Sequence, residues 1–209
     1  DGDIEIQERD AAGNAIAVTY IDATVQNWRH PQTANLNFAN QFLVVCQVVG
    51  YPGLPGSNII GVTVDAQTMV QNFPLVISTN DQTGDKILAD VGGDSYDGTA
   101  YYCVVWHRSF TATDTDIHAR LVTSASTLLG SSTIMIDNSG SSLDSWPSVS
   151  KSNGTLGGSA AWTIAWHRQV SATNLDIRAA VLSWDGTLLN PSAVIANSAV
   201  TEYYPRASS

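Results

Sequence analysis

Apolar and polar positions alternate with a period of two along most of the chain, in short runs separated by turns. In the run AAWTIAWH (160–167), Trp162, Ile164 and Trp166 fall on one face, and the intervening residues fall on the other. β-branched and aromatic residues are enriched in these runs, and no run has helical spacing. The pattern predicts an all-β chain. Because both faces of this run are largely apolar, it also predicts strands that are covered on both sides.

One segment of this pattern occurs twice. WHRSFTATDTDIHARLV begins at Trp106 and WHRQVSATNLDIRAAVL begins at Trp166, 60 residues later. Weaker copies extend the repeat in both directions: FLVVCQ (42–47) stands in place of CVVWHR, and DIEIQER (3–9) in place of DIRAAVL. A repeat of this length predicts a structural unit that is copied along the chain.

Each unit predicts four strands, which we label a to d. Strand a is expected around Pro31, 87–91, Pro147 and Pro205; strand b at 42–49, 100–107 and 160–167; strand c at 3–9, 58–64, 116–122 and 176–182; and strand d near 16–21, 75–78, 133–136 and 193–196. The approximate repeat units of this single domain (1–209) are 1–56, 57–114, 115–174 and 175–209. Antiparallel four-stranded units that cover one another's faces predict a β-propeller of about three and a half to four blades. A β-sandwich would need a polar face on strand b, which the sequence does not show.

The predicted strands leave one blade incomplete. The chain begins with strands c and d, contains three full sets, and stops after a strand a at 205–209. Strand a from one end and strands c and d from the other would form a blade without strand b. A gap of this kind exposes unpaired backbone groups, and such edges recruit partners. We therefore expect further propeller chain, or a partner such as another copy of this chain, to supply the strand.

The motif CVVW (103–106), followed by a loop rich in Thr and Asp and then by DI.A..V, resembles the β-propeller repeats of large bacterial secreted and cell-surface proteins. The resemblance is good over 100–190 and weak elsewhere. In the first unit, Cys46 stands at the position of Trp106, and Gln47 with the next residue replaces His-Arg. The resemblance implies a propeller fold and an extracellular or cell-surface location, and it implies no single activity.

The charge of the chain excludes two classes of partner. The 9 basic and 19 acidic residues give a net charge of −10. Such a surface repels nucleic acid and anionic lipid headgroups. No apolar run reaches the about 18 residues that a membrane-spanning helix needs, so membrane insertion is not expected. The abundance of Ser, Thr, Asn and Gly suits an extracellular all-β protein.

The repeated His-Arg pair and the Asp that follows it form the first candidate site. Its members are His107, Arg108, Asp116, His167, Arg168 and Asp176. These residue types are able to perform acid–base chemistry or to clamp an anionic sugar. Because an enzyme needs one site rather than two copies, their repetition favours a structural network that ties strands b and c together. No GxSxG, HExxH, Walker or Rossmann motif occurs, and no catalytic residue is assigned.

Aromatic and charged residues near the loops between strands d and a form the second candidate site. They are Trp28, Arg29, Asp137, Asp144, Trp146 and Tyr204. Aromatic rings exposed at the mouth of a propeller stack on sugar rings. Alternatively, each ring packs over the proline near it and seals the blade interface. We expect a non-enzymatic module for assembly or cell-surface recognition; the alternatives are a carbohydrate-binding propeller and, third, a polysaccharide lyase or glycosidase.

Three carboxylates, Asp90, Asp94 and Asp97, lie in a glycine-rich turn, which resembles the chemistry of a calcium site. Their spacing differs from that of an EF-hand loop and from that of the calcium loop of integrin-type propellers. A solvated turn is the preferred interpretation, with no other metal or cofactor expected.

Cys46 and Cys103 lack the spacing of a zinc knuckle or of a redox CxxC motif. Cys46 stands at the position of Trp106, and Cys103 stands three places before Trp106. This odd offset puts the two side chains on opposite faces of successive blades. Because successive blades meet face to face, the sequence predicts a disulfide that stabilises the fold by about 2–4 kcal/mol; two free buried thiols are the alternative.

Overall fold

The computed structural model describes residues 2–79, 83–93, 101–152 and 160–208, which are mainly β-strand and turn. The strands are β1 (Ile4–Arg9), β2 (Ala15–Asp22), β3 (Asn27–Leu36), β4 (Gln41–Val49), β5 (Ser57–Asp65), β6 (Leu75–Val76), β7 (Asp85–Gly92), β8 (Tyr101–Thr111), β9 (Asp114–Thr123), β10 (Ile134–Asp137), β11 (Asp144–Val149), β12 (Ala161–Ser171), β13 (Asn174–Ser183) and β14 (Leu188–Ala196). Across the described ranges, the helical structure is one short 3-10 turn, Asn37–Ala39, and no helix is long and apolar enough to span a membrane. The prediction of an all-β fold is confirmed.

Within these ranges, the strands form four antiparallel sheets. Sheet 1 contains β1 and β2, sheet 2 contains β3–β6, sheet 3 contains β7–β10, and sheet 4 contains β11–β14. In each four-stranded sheet, neighbouring strands are consecutive in the chain, so the predicted order a, b, c, d is confirmed in three sheets. Sheet 1 consists of the predicted strands c and d from the start of the chain.

Apolar layers fill the space between successive sheets. The layer between sheets 1 and 2 contains Ile21, Trp28, Val44, Cys46 and Ile60; the layer between sheets 2 and 3 contains Leu43, Val45, Val91, Tyr102 and Trp106; the layer between sheets 3 and 4 contains Cys103, Val105, Ile117, Trp162 and Trp166. The central strands β4 and β8 are therefore covered on both faces, as the apolar pattern predicts, whereas β12 packs on sheet 3 through one face and exposes Thr163 on the other.

A backbone bend recurs in the first strand of each four-stranded sheet. His30, Leu88 and Trp146 have positive φ angles of 53°, 52° and 55°, and the pairing with the next strand shifts register at each of these bends. Tyr204, with a φ of 48°, continues this series at the same spacing of 58 residues. The segment 202–208 thus has the local conformation of a strand a.

The predicted strand at 205–209 is nevertheless wrong for the residues that the structure describes. Residues 197–208 contain no strand. The physical reason is that a strand is defined by its ladder of hydrogen bonds, and none of the described strands pairs with this segment to form one.

The predicted disulfide is also wrong, because Cys46 and Cys103 are both free and buried. Cys46 lies in the layer between sheets 1 and 2, and Cys103 lies in the layer between sheets 3 and 4. The odd offset does place the thiols on opposite faces, but both faces point away from the contact between sheets 2 and 3. Burial raises the pKa of Cys46 to about 12, so this thiol stays protonated at neutral pH.

Candidate functional site

Four chain segments meet around a central cavity of about 110 Å³. β3, β7, β11 and the segment 202–208 each contribute lining residues, which are His30, Gln32, Leu88, Ala89, Asp90, Trp146, Pro147 and Arg206. Gln32, Asp90 and Arg206 each follow a positive-φ residue by two positions. The sequence analysis missed Arg206, although its spacing of 58 residues from the equivalent positions carried the signal.

Exposed aromatic rings stand beside this cavity. Trp146 and Tyr204 are 37% and 53% exposed, and their rings meet edge to face with centroids 4.8 Å apart. Tyr203, which precedes Tyr204 in the sequence, stacks on it with ring centroids 5.8 Å apart. His167 lies 6.2 Å from the ring of Tyr204. Tyr203 and Tyr204, whose ring planes differ by 29°, offer exposed aromatic faces of the kind that stack on a sugar ring.

The other members of the predicted aromatic set do not join this surface. Trp28 is buried in the layer between sheets 1 and 2. Arg29 is exposed and donates from Nε to Asn27 Oδ1 over 2.8 Å. Asp137 and Asp144 face inward and are engaged with an arginine of sheet 4. Of the six predicted residues, the structure brings together Trp146 and Tyr204 as an exposed pair.

The arginine network of sheet 4 is centred on Asp144, which has no exposed surface. Arg168 donates to both carboxylate oxygens, from Nε over 2.7 Å and from a terminal nitrogen over 2.5 Å, and also pairs with Asp137 at 2.7 Å. Trp166 Nε1 and Ser139 Oγ donate to the same carboxylate, each over 3.1 Å. Burial raises the pKa of Asp144, and the contacts with Arg168 oppose that effect. The Asp144 carboxylate therefore joins strands through these contacts and has no exposed surface.

The sequence copy in sheet 3 does not reproduce this network. Arg108 donates to the carbonyl and hydroxyl oxygens of Thr83, over 3.0 and 2.8 Å, and lies 4.2 Å over the ring of Phe110. Lys86 stands opposite Arg108, where Asp144 stands opposite Arg168 in sheet 4. The repeated residues therefore have different partners in the two sheets, which one duplicated active site would not require.

The repeated histidines and aspartates are buried. His167 Nε2 lies 2.7 Å from Ser145 Oγ, and burial lowers the pKa of His167. Burial, assisted by the charge of His167, lowers the pKa of His107 to about 4. Burial raises the pKa of Asp116 to about 6, and Asp176 is the Cα partner of the arginine in the sheet 4 network. Both histidines are neutral at pH 7, which suits packing positions.

The Asp90 carboxylate takes part in hydrogen bonds and an ion pair between two strands, and it does not form a calcium site with other described residues. Its carboxylate accepts from Lys151 Nζ at 2.5 Å, from the backbone N–H of Val149 at 3.0 Å and from Ser148 Oγ at 3.2 Å. These contacts join β7 to β11. The other two carboxylates of the predicted calcium turn, Asp94 and Asp97, lie outside the described residues. In the part of the chain that is described, no three His, Cys, Asp or Glu residues are grouped closely enough to hold a metal ion.

A groove of about 750 Å³ lies beside β1. It is lined by residues 4–7 of β1, residues 31–35 of β3, Phe42 and Val44 of β4, and Lys151. β1 pairs with β2 and with no other described strand, whereas the equivalent strands β5, β9 and β13 pair along both edges. One backbone edge of β1 therefore faces the groove, at the place where the sequence predicts a missing strand b.

No protein-family model matches this chain, and no curated protein sequence matches it either. A solved structure does resemble it. The endo-arabinase from Bacteroides thetaiotaomicron VPI-5482 superposes with a TM-score of 0.52 over 88% of this chain and 69% of the arabinase chain, at 12% sequence identity. The likeness concerns the fold alone.

Proposed function

We propose that this chain is a non-enzymatic β-propeller module that acts in assembly or recognition at the cell surface, and that an added β-strand completes its fourth blade. The strand comes from further propeller chain or from a partner subunit, such as a second copy. The observation that carries the proposal is the edge of β1 that pairs with no described strand and lies beside an open groove.

The arrangement of the inner segments supports a fourfold ring. β3, β7, β11 and the segment 202–208 surround one cavity and share the same bend. Sheet 1 packs on sheet 2 through an apolar layer, as sheet 2 packs on sheet 3. In the proposed fourth blade, 202–208 would take the place of strand a and β1 and β2 would be strands c and d, and no described strand stands at position b.

The groove offers both backbone hydrogen-bonding groups and apolar side chains to an added strand. An added strand would pair with the free backbone groups of β1 and would place alternate side chains on Phe42, Val44 and Ile6, which line the groove. The opposite face of sheet 1 exposes Ile16 and Val18, at 61% and 49%. Large apolar side chains exposed on a strand are found on faces that another element covers.

The mass of the chain in solution tests this proposal. The chain has a mass of 22.2 kDa. We expect sedimentation equilibrium to give a larger species, whose fraction rises with protein concentration, because a second copy offers strands to the open edge. A 22.2 kDa monomer at every concentration would contradict association through this edge.

Carbohydrate binding is the second candidate function, and the exposed cluster of Trp146, Tyr203 and Tyr204 favours it. A glycan array with the unmodified chain and with Trp146→Ala tests it, and binding should be lost in the variant. Trp184→Ala is the matched control, since Trp184 has a similar exposure of 40% and stacks on Tyr101 elsewhere. An array without a bound glycan would exclude this candidate. Turnover of an acidic polysaccharide would instead favour the third candidate, a lyase or glycosidase.

A further inference from the structure

We infer that the strand that completes the fourth blade carries an arginine that pairs with the half-buried carboxylate of Glu202, whose Oε2 atom is buried, as Arg168 of β12 pairs with Asp144 of β11. This inference rests on the proposed addition of a strand beside β1. It identifies the partner by its chemistry: a β-strand that is apolar on both faces and has an arginine near its C-terminal end.

Glu202 occupies the position of Asp144 in the fourth segment. It precedes the positive-φ residue Tyr204 by two places, as Asp144 precedes Trp146. Its backbone N–H donates to Leu175 O over 3.0 Å, and the equivalent N–H of Trp28 donates to Gly2 O over 3.2 Å. The segment 202–208 is therefore in register with β3 and β11.

In sheet 4, the acidic residue at this position binds strand b. Asp144 and Arg168 are Cα partners, and both carboxylate oxygens accept hydrogen bonds from the guanidinium group. Trp166, two residues before the arginine, donates its indole N–H to the same carboxylate. A strand a with a buried acid thus selects a strand b with the sequence Trp-x-Arg.

Glu202 lacks such a partner. Oε1 accepts from the backbone N–H and the hydroxyl group of Ser198. Oε2 is buried and has no hydrogen-bond partner among the described residues. A buried carboxylate oxygen without a donor is unfavourable, so this atom identifies a place for a donor that the described chain does not supply.

Of the other two sheets, sheet 2 lacks both members of the pair and sheet 3 has the arginine without the acid. In sheet 2, Trp28 replaces the acid, and its partner on strand b is Val48 rather than arginine. In sheet 3, Lys86 stands at the position of the acid, and Arg108 donates to the carbonyl oxygen of Thr83. Among the three four-stranded sheets, the acid is therefore found in sheet 4, where an arginine receives it, and an arginine alone, as in sheet 3, does not require an acid.

The equivalent strands of the other sheets give the expected length of the added strand. The strands at the b position of sheets 2, 3 and 4 contain 9, 11 and 11 residues. β12 then reaches β13 through the two residues 172–173. An added strand of the same length would lie between 202–208 and β1. The net charge of −10 on this chain favours a strand whose polar end is basic.

A peptide with the sequence of residues 161–171, AWTIAWHRQVS, is the probe. Its affinity is measured by fluorescence anisotropy for the unmodified chain and for Glu202→Gln, with the native peptide and with a peptide carrying Arg168→Gln. We expect one peptide per chain. Either substitution alone should weaken binding about tenfold, the effect of one charge-assisted hydrogen bond, and both together should weaken it little further. Glu8→Gln is the matched control, because Glu8 lies on β1 outside the groove lining.

A second measurement avoids dependence on a free peptide. Residues 161–173 are fused in front of Asp1, which reproduces the β12–β13 turn, and thermal unfolding is followed. We expect a higher Tm, and a smaller rise when the fused segment carries Arg168→Gln.

If the peptide binds tightly and the fused segment raises the Tm, but neither effect changes with Arg168→Gln or Glu202→Gln, the inferred ion pair is wrong and the proposed strand addition is supported. The absence of both peptide binding and a stability gain would overturn the ion pair and the proposed strand addition together.

Discussion

Replacing Asp144, which binds Arg168, by asparagine tests whether this arginine of the repeated His-Arg-Asp motif is structural. The substitution keeps the size of the side chain and one acceptor for Trp166, and it removes the charge that Arg168 binds with two hydrogen bonds. Removing one partner of a buried ion pair typically costs about 3–5 kcal/mol. Because Asp137 still pairs with Arg168 at 2.7 Å, we expect a loss of about 2–4 kcal/mol, a large share of a typical stability of about 5–15 kcal/mol.

Urea unfolding, followed by far-UV circular dichroism and tryptophan fluorescence, measures this loss. The midpoint should fall while the m value stays constant, since the surface exposed on unfolding does not change. Arg168→Gln provides the second arm of a double-mutant cycle, in which the double variant should lose less than the sum of the single variants. A loss below about 0.5 kcal/mol for Asp144→Asn, the range of ordinary surface substitutions, would refute the structural interpretation.

Two further predictions concern the buried titratable groups. Cys46 and Cys103 should not react with a thiol reagent in the folded chain, because both are buried. After unfolding without reductant, two thiols per chain should react. Fewer than two would contradict the finding that both cysteines are free. Burial lowers the pKa of His107 and of His118 to about 4 from the usual 6.5. As the pH falls, the unfolded chain therefore protonates these histidines before the folded chain does. The free energy of unfolding is lost between pH 6.5 and pH 4. Asp116, with a raised pKa of about 6, has the opposite effect, since its contribution is lost as the pH rises from 3.8 to 6. His118→Gln should therefore lose less stability than the unmodified chain between pH 6.5 and pH 4 in urea titrations, and an identical loss would contradict this reasoning.

The strands were predictable because their signals are local. Strand b was expected at 160–167 and is observed at Ala161–Ser171, and strand c was expected at 176–182 and is observed at Asn174–Ser183. A period of two and a change of composition at the turns are enough for such a prediction. Both strands extend further than predicted because the ladder of the β12–β13 hairpin continues to its two-residue turn.

The misses concern information that a single strand does not contain. An offset of three gives the relative faces of Cys46 and Cys103, but which face meets the next sheet depends on the packing order. The copied WHR motif likewise suggested one shared network, whereas the contacts of each arginine depend on the neighbouring strand, which places Asp144 opposite Arg168 in sheet 4 and Lys86 opposite Arg108 in sheet 3. Glu202 was missed because its role depends on a strand that is not beside it.

Hydrogen exchange of the amides of β1 tests the central claim, that an added strand pairs with this edge, most directly. Exchange of residues 4–9 and 202–208 is measured by mass spectrometry with and without the peptide of residues 161–171. We expect both segments to become protected when the peptide is present, while β5, β9 and β13, which already pair along both edges, stay unchanged. Unchanged exchange in β1 at saturating peptide, or protection confined to other strands, would contradict the account.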